Sequence, residues 1–107
     1  MAYSGKPFFK IPRPLLLAGG VESQTLSGDT TLTDKDSLFQ SINGGGSDRD
    51  VTLPSEKDGR VYIIKNSGAT NSLVIKNDAA ATVETLANGE TGIIVCDGSN
   101  WIVMLKA

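Results

Sequence analysis

Three pairs of carboxylates are spaced two residues apart: Asp34/Asp36, Asp48/Asp50 and Glu56/Asp58. On an extended strand, residues i and i+2 share a face, so each pair would offer two hard oxygen donors to one side, a geometry suited to a cation such as calcium. None continues into an Asp-x-Asp-x-Asp-Gly loop, and solvated loop acids are the reading the spacing favours. Paired carboxylates also perform glycoside hydrolysis, but nothing in the sequence sets two of them across a sugar. The chain has no histidine. That excludes Ser-His-Asp and Cys-His catalysis and the common zinc sites, and it removes the usual near-neutral base. Cys96 sits in the apolar run Ile93-Ile94-Val95-Cys96 with no cationic neighbour to lower its pKa, so it reads as a small core residue. Gly44-Gly45-Gly46 lacks the Gly-Lys-Ser/Thr ending of a phosphate loop and is not a dinucleotide fingerprint; it reads as a flexible loop. Trp101 and Tyr62 could stack on a sugar or a base, although core positions are commoner for such residues. These residues imply no enzyme and no cofactor.

The elements that would position these side chains belong to one small domain of 107 residues. A hydrophobic content of 39% against 21% charged residues supports a folded chain. The net charge of −2 argues against a general nucleic-acid binder. Aromatics make up only 6%, which implies a thin core and favours association with partners. A single cysteine gives no sign of a disulfide scaffold. No stretch approaches the roughly 20 apolar residues of a membrane span, and Leu15-Leu16-Leu17-Ala18 is too short for a signal-peptide core of about 7–15 residues. No membrane role is expected, and a cytoplasmic site of synthesis is.

The bland total charge conceals two unlike segments. Residues 1–20 carry Lys6, Lys10 and Arg13 and no acid, a charge of +3, leaving seven bases against twelve acids, −5, for residues 21–107. Pro7, Pro12 and Pro14 favour extended backbone over helix in the first segment. It is also too apolar for an idle tail. It therefore reads as an extended basic and apolar arm that docks on a protein surface, through Lys6, Phe8, Phe9, Lys10, Ile11, Arg13, Leu15 and Leu16. An edge strand of its own body is the plainer alternative. Gly19-Gly20 reads as the hinge between arm and body.

The body, residues 21–107, reads as β throughout. Strands are expected over residues 50–53, 60–66, 73–76, 81–86, 91–96 and 101–105, with weaker ones over 22–26 and 30–33. Residues 34–42 are ambiguous, with extended structure preferred over a short helical turn capped by Asp34 or Asp36. Turn residues separate the strands, and Asn88-Gly89 and Asp97-Gly98 are hairpin cues. Regular short strands of this kind predict an all-β fold, a small antiparallel β-sandwich or barrel with an extended N-terminal arm. Residues 61–64, 93–96 and 101–104 place apolar side chains on both strand faces. This predicts central strands, or an outer face covered by another subunit.

Residues 38–105 carry an ordered set of short motifs. Val51-Thr52-Leu53-Pro54 is followed by Asp58-Gly59, then by Arg60-Val61-Tyr62-Ile63-Ile64-Lys65-Asn66-Ser67-Gly68 and Leu73-Val74-Ile75. After these come Thr82-Val83-Glu84-Thr85-Leu86, Gly89-Glu90 and Val95-Cys96-Asp97-Gly98-Ser99-Asn100-Trp101. This order resembles small β-sandwich virion modules of tailed bacteriophages, found in capsid decoration proteins and in head- and tail-fibre proteins. The resemblance implies a structural protein, often trimeric, located on the virion. Without a long shaft-building repeat, the decoration role is the expected one: a cement protein on the outer surface of a phage head, with the major capsid protein as partner, a homotrimer, and no contact with nucleic acid. The alternative is a fibre-type module binding a receptor or glycan, which requires both Trp101 or Tyr62 and the Gly44-Gly45-Gly46 loop to be exposed.

Overall fold

The computed structural model describes residues 19–107, which form nine β-strands and no helix. They are β1 (Val21–Thr25), β2 (Thr30–Thr31), β3 (Phe39–Asn43), β4 (Arg49–Thr52), β5 (Val61–Asn66), β6 (Leu73–Lys76), β7 (Thr82–Leu86), β8 (Thr91–Cys96) and β9 (Trp101–Lys106). The strands form a five-stranded sheet in the order β1-β3-β5-β8-β9 and a four-stranded sheet in the order β2-β4-β6-β7. The all-β expectation holds, and the strand positions agree within one or two residues. The ambiguous stretch 34–42 resolves into a turn and then β3.

The antiparallel expectation is corrected. β1 pairs parallel with β3, β3 with β5, β2 with β4 and β4 with β6; only the pairs β5–β8, β6–β7 and β8–β9 are antiparallel. Both sheets are therefore mixed, and they are separate sheets, not one closed barrel. The first six strands alternate between the two sheets, so each turn sends the chain across the core and not back beside itself. Successive strands of one sheet then run the same way. Parallel pairing normally needs a long crossover, often a helix; here a strand of the opposite sheet supplies it. The Asn88-Gly89 turn is corrected in the same way. Gly89 has φ +82 as such a turn requires, but the turn carries the chain from β7 in one sheet to β8 in the other. Asp97-Gly98 does close the β8–β9 hairpin.

The inner faces of both sheets enclose one core. Ile42, Tyr62, Ile64, Ile94, Cys96 and Trp101 enter it from the five-stranded sheet, and Val51, Leu73, Ile75 and Leu86 from the four-stranded one. Leu32 and Leu53 follow β2 and β4 at matching positions, 21 residues apart like the pair Thr30↔Val51, and stack in successive coils. Asn66 ties the sheets together. Its buried amide donates to the carbonyls of Asn71 (2.7 Å) and Leu86 (2.9 Å), and its Oδ1 accepts from the Gly68 backbone at 2.9 Å.

The interior turns polar at the β1 end. Buried Gln40 donates to Glu22 Oε1 and to the Ser37 carbonyl, both at 2.7 Å, and accepts from Gln24 at 3.1 Å. Among the described residues β1 is an edge strand, and inward-pointing charge on such a strand discourages further strand addition. The opposite end is closed by Lys106, which reaches Glu84 at 3.6 Å and Glu90 at 3.8 Å.

Candidate interaction surface

The five-stranded sheet is apolar on both sides. Register places Val21 beside Phe39, Phe39 beside Ile63, Ile63 beside Ile93 and Ile93 beside Leu105. Each of these alternates with an inward-facing neighbour, so all five point outward and form an unbroken apolar row across the sheet. Val61, Val95 and Ile102 form a second row beside it. A bulge in β9 adds Met104 between the two rows. Among the described residues, the exposed large hydrophobics are Val21 (65%), Ile102 (41%), Met104 (64%) and Leu105 (53%). All four lie on the two edge strands of this sheet, β1 and β9, so the apolar band runs the full width. Its margin, the row Ser23, Ser41, Lys65 and Thr91, is polar, and Lys65 is the one charge at an outward position of these strands.

The outer face of the four-stranded sheet is built differently. Asp50, Thr52, Val74, Lys76 and Thr85 occupy it, and Asp50 pairs with Lys76 at 3.1 Å across neighbouring strands. This is the polar side expected of a sheet that faces water.

The structure gives Asp36, Asp48 and Cys96 structural roles. Asp36 Oδ2 accepts from the backbone N–H and hydroxyl of Thr33 at 2.7 and 3.2 Å. Asp48 accepts from the Ser72 backbone at 2.8 Å. The Asp34/Asp36, Asp48/Asp50 and Glu56/Asp58 pairs belong to no group of three or more potential metal ligands among the described residues. Cys96 is buried in the core, where its sulfur accepts from the Gly98 backbone at 3.4 Å. A groove of about 610 Å³ lies where β2 and β4 end, with Leu32 and Leu53 among its lining and Asp34, Arg60 and Asp78 as its charged groups. The Arg60 guanidinium donates to the Ser55 carbonyl at 3.0 Å.

The exposure required by a stacking site is not found. Trp101 is 8% and Tyr62 3% exposed, with ring centroids 5.9 Å apart. The indole N–H donates to the Pro54 carbonyl at 3.2 Å and the Tyr62 hydroxyl to the Thr33 carbonyl at 2.7 Å, so both polar tips are committed to turns. Burial holds the Tyr62 hydroxyl pKa above its ordinary value, with Arg60 opposing and Asp36 adding to the effect. The glycine loop is exposed at Gly45 and Gly46, as the alternative requires, but it is more constrained than a flexible linker. Gly44 is buried, its carbonyl accepts from Arg49 Nε at 2.8 Å, and Gly45 (φ +74) passes so close to β1 that a Cβ there would meet the Leu26 carbonyl oxygen at 2.1 Å.

The expected arm residues Lys6, Phe8, Phe9, Lys10, Ile11, Arg13, Leu15 and Leu16 lie outside the described residues. The sequence identified the two-sided character of β5, β8 and β9. It missed Val21, Phe39 and Leu105 as members of the same face, because the bulged β8–β9 pairing aligns Leu105 and only the parallel register aligns Val21 and Phe39. A faint coil repeat, Thr30-Thr31-Leu32-Thr33 against Val51-Thr52-Leu53-Pro54, is the signal that would have revealed that register. Compared with known families and curated proteins, the chain matches no family model and none of those proteins.

Proposed function

We propose that this chain is a structural, non-catalytic virion protein: a decoration (cement) protein on the outer surface of a tailed-phage head, acting as a homotrimer on the major capsid protein. The observation that carries the reading is the full-width apolar outer face of the five-stranded sheet, the mark of a protein that works by covering and being covered. The motif order that resembles phage virion modules supports it. So does the contrast between a +3 apolar arm and a −5 body, which suits a part that docks by one end. A protein that bridges shell subunits stabilises the shell because the contacts must be lost before it opens, and repetition through a trimer multiplies one weak contact.

Co-sedimentation of the full chain with heads purified from the tailed phage that carries its gene tests the reading. Saturable binding in a fixed ratio to the major capsid protein, with a raised temperature of head disruption, is the expected result. Replacing Phe8 and Leu15 by Ser should abolish binding while leaving the circular dichroism of the body unchanged. Heads that take up no protein would end the decoration reading, and binding unaffected by the double substitution would end the role of the arm.

A further inference from the structure

We infer that the outer face of the five-stranded sheet is the surface through which copies of this chain associate with one another. The surface follows from geometry; the number of copies, three, rests on the preceding reading, and about a three-fold axis each face packs against its two neighbours.

Width decides the occupant. Five strands at a spacing of about 4.8 Å make a face roughly 24 Å across, and exposed apolar side chains reach both of its edges, Val21 on β1 and Leu105 on β9. A docked helix, about 10 Å in diameter, would leave half of that band in water. A single added strand would extend an edge and leave the face bare. A cover as wide and as flat as the sheet is needed, and neighbouring copies of the chain supply it, since sheets pack through interdigitated apolar side chains.

Charge agrees. Among the described residues the face carries no carboxylate, and its one cation, Lys65, sits in the polar margin row beside Ser41 and Thr91. Two such faces can meet without opposing like charges at the centre, whereas a charged partner finds no counter-charge there. The other outer face, crossed by the Asp50–Lys76 pair, lacks these properties.

The test is the mass of the full chain in solution by light scattering. Leu105→Lys and Ile102→Lys place a charge on the face at positions already exposed, so the monomer fold tolerates them; circular dichroism and the melting profile confirm this for each variant. The wild type is expected as an oligomer, and both variants at the 11.2 kDa of one chain. Thr85→Lys, on the opposite outer face, should leave the oligomer mass unchanged. An oligomer that survives both face variants overturns the inference. So does a monomeric wild type, and if its melting temperature falls in the Lys variants, the cover comes from the same chain. Heads that bind no protein alongside an oligomer dissolved by Leu105→Lys would sink the decoration reading and leave this one standing.

Discussion

The two outer faces of the molecule share one core, yet they are opposites. The five-stranded sheet presents Val21, Phe39, Ile63, Ile93 and Leu105 in one row, and the four-stranded sheet presents Asp50, Thr52 and Lys76. Folding alone does not require the first arrangement, because the core is already closed by the inner faces of both sheets. A row of large apolar groups turned outward gains nothing until something covers it. The polar face thus shows what this fold needs for water, and the apolar face is the one that the proposed association would cover.

The sharpest way to separate the two faces of the five-stranded sheet is to truncate adjacent residues of β8. Ile94 faces the core and is fully buried; Ile93 faces out. Ile94→Ala should cost about 2–5 kcal/mol of stability by urea denaturation, and the same amount at every protein concentration. Ile93→Ala should cost less when dilute and more as concentration rises, because its contribution is linked to association. Equal concentration dependence for both variants would break the distinction between inner and outer faces.

Asn66→Ala addresses what couples the sheets. It leaves the Asn71 and Leu86 carbonyls and the Gly68 N–H without the side-chain amide that pairs them. The expected loss is about 1–3 kcal/mol in a single cooperative transition seen alike by tryptophan fluorescence and circular dichroism. Two separate transitions would mean that the faces belong to independently folding halves.

Much of this was legible in the sequence, for a physical reason. Alternation and β-branched residues mark strands whatever they pair with, so β5, β6 and β8 emerge almost residue for residue. Two-sided apolarity in residues 61–64 and 93–96 likewise shows through, since it is a property of one strand. Pairing is not. The connection of residues 26–29 has the length of a hairpin loop, and Asn88-Gly89 has hairpin chemistry, yet both carry the chain to the opposite sheet. A turn fixes local backbone angles; the direction of the next strand is set by where its apolar face finds the core. That is why the row from Val21 to Leu105 stayed hidden until register joined its members, and why Tyr62 and Trp101, equally suited to stacking by type, proved to be core residues.

A smaller effect comes from the β8–β9 turn, which fixes the register of the edge strand carrying Ile102, Met104 and Leu105. Asp97 Oδ1 accepts from the backbone N–H groups of Asn100 at 2.8 Å and Ser99 at 2.9 Å, which holds its pKa below the ordinary carboxylate range. A lowered folded-state pKa contributes stability that is present above the unfolded value and lost as pH falls through the folded one. Asp97→Ala should therefore flatten the acid limb of the stability curve below about pH 4, measured by denaturant midpoint against pH. An unchanged limb would place the acid sensitivity elsewhere.

The smallest effect is expected on the polar face. Asp50 and Lys76 meet at 3.1 Å, but their side chains remain 38% and 26% exposed, so water screens the attraction and ordering two long side chains offsets much of it. Lys76→Met should change stability by no more than about 1 kcal/mol and should make it less sensitive to salt. Its effect on association carries more meaning. Removing the pair makes this face more apolar, and if apolarity alone drove the copies together the variant would form larger assemblies. If the five-stranded face is used because of its width and continuous row, Lys76→Met leaves the oligomer mass where it was. A shift to higher mass would show that the two faces differ in degree and not in kind.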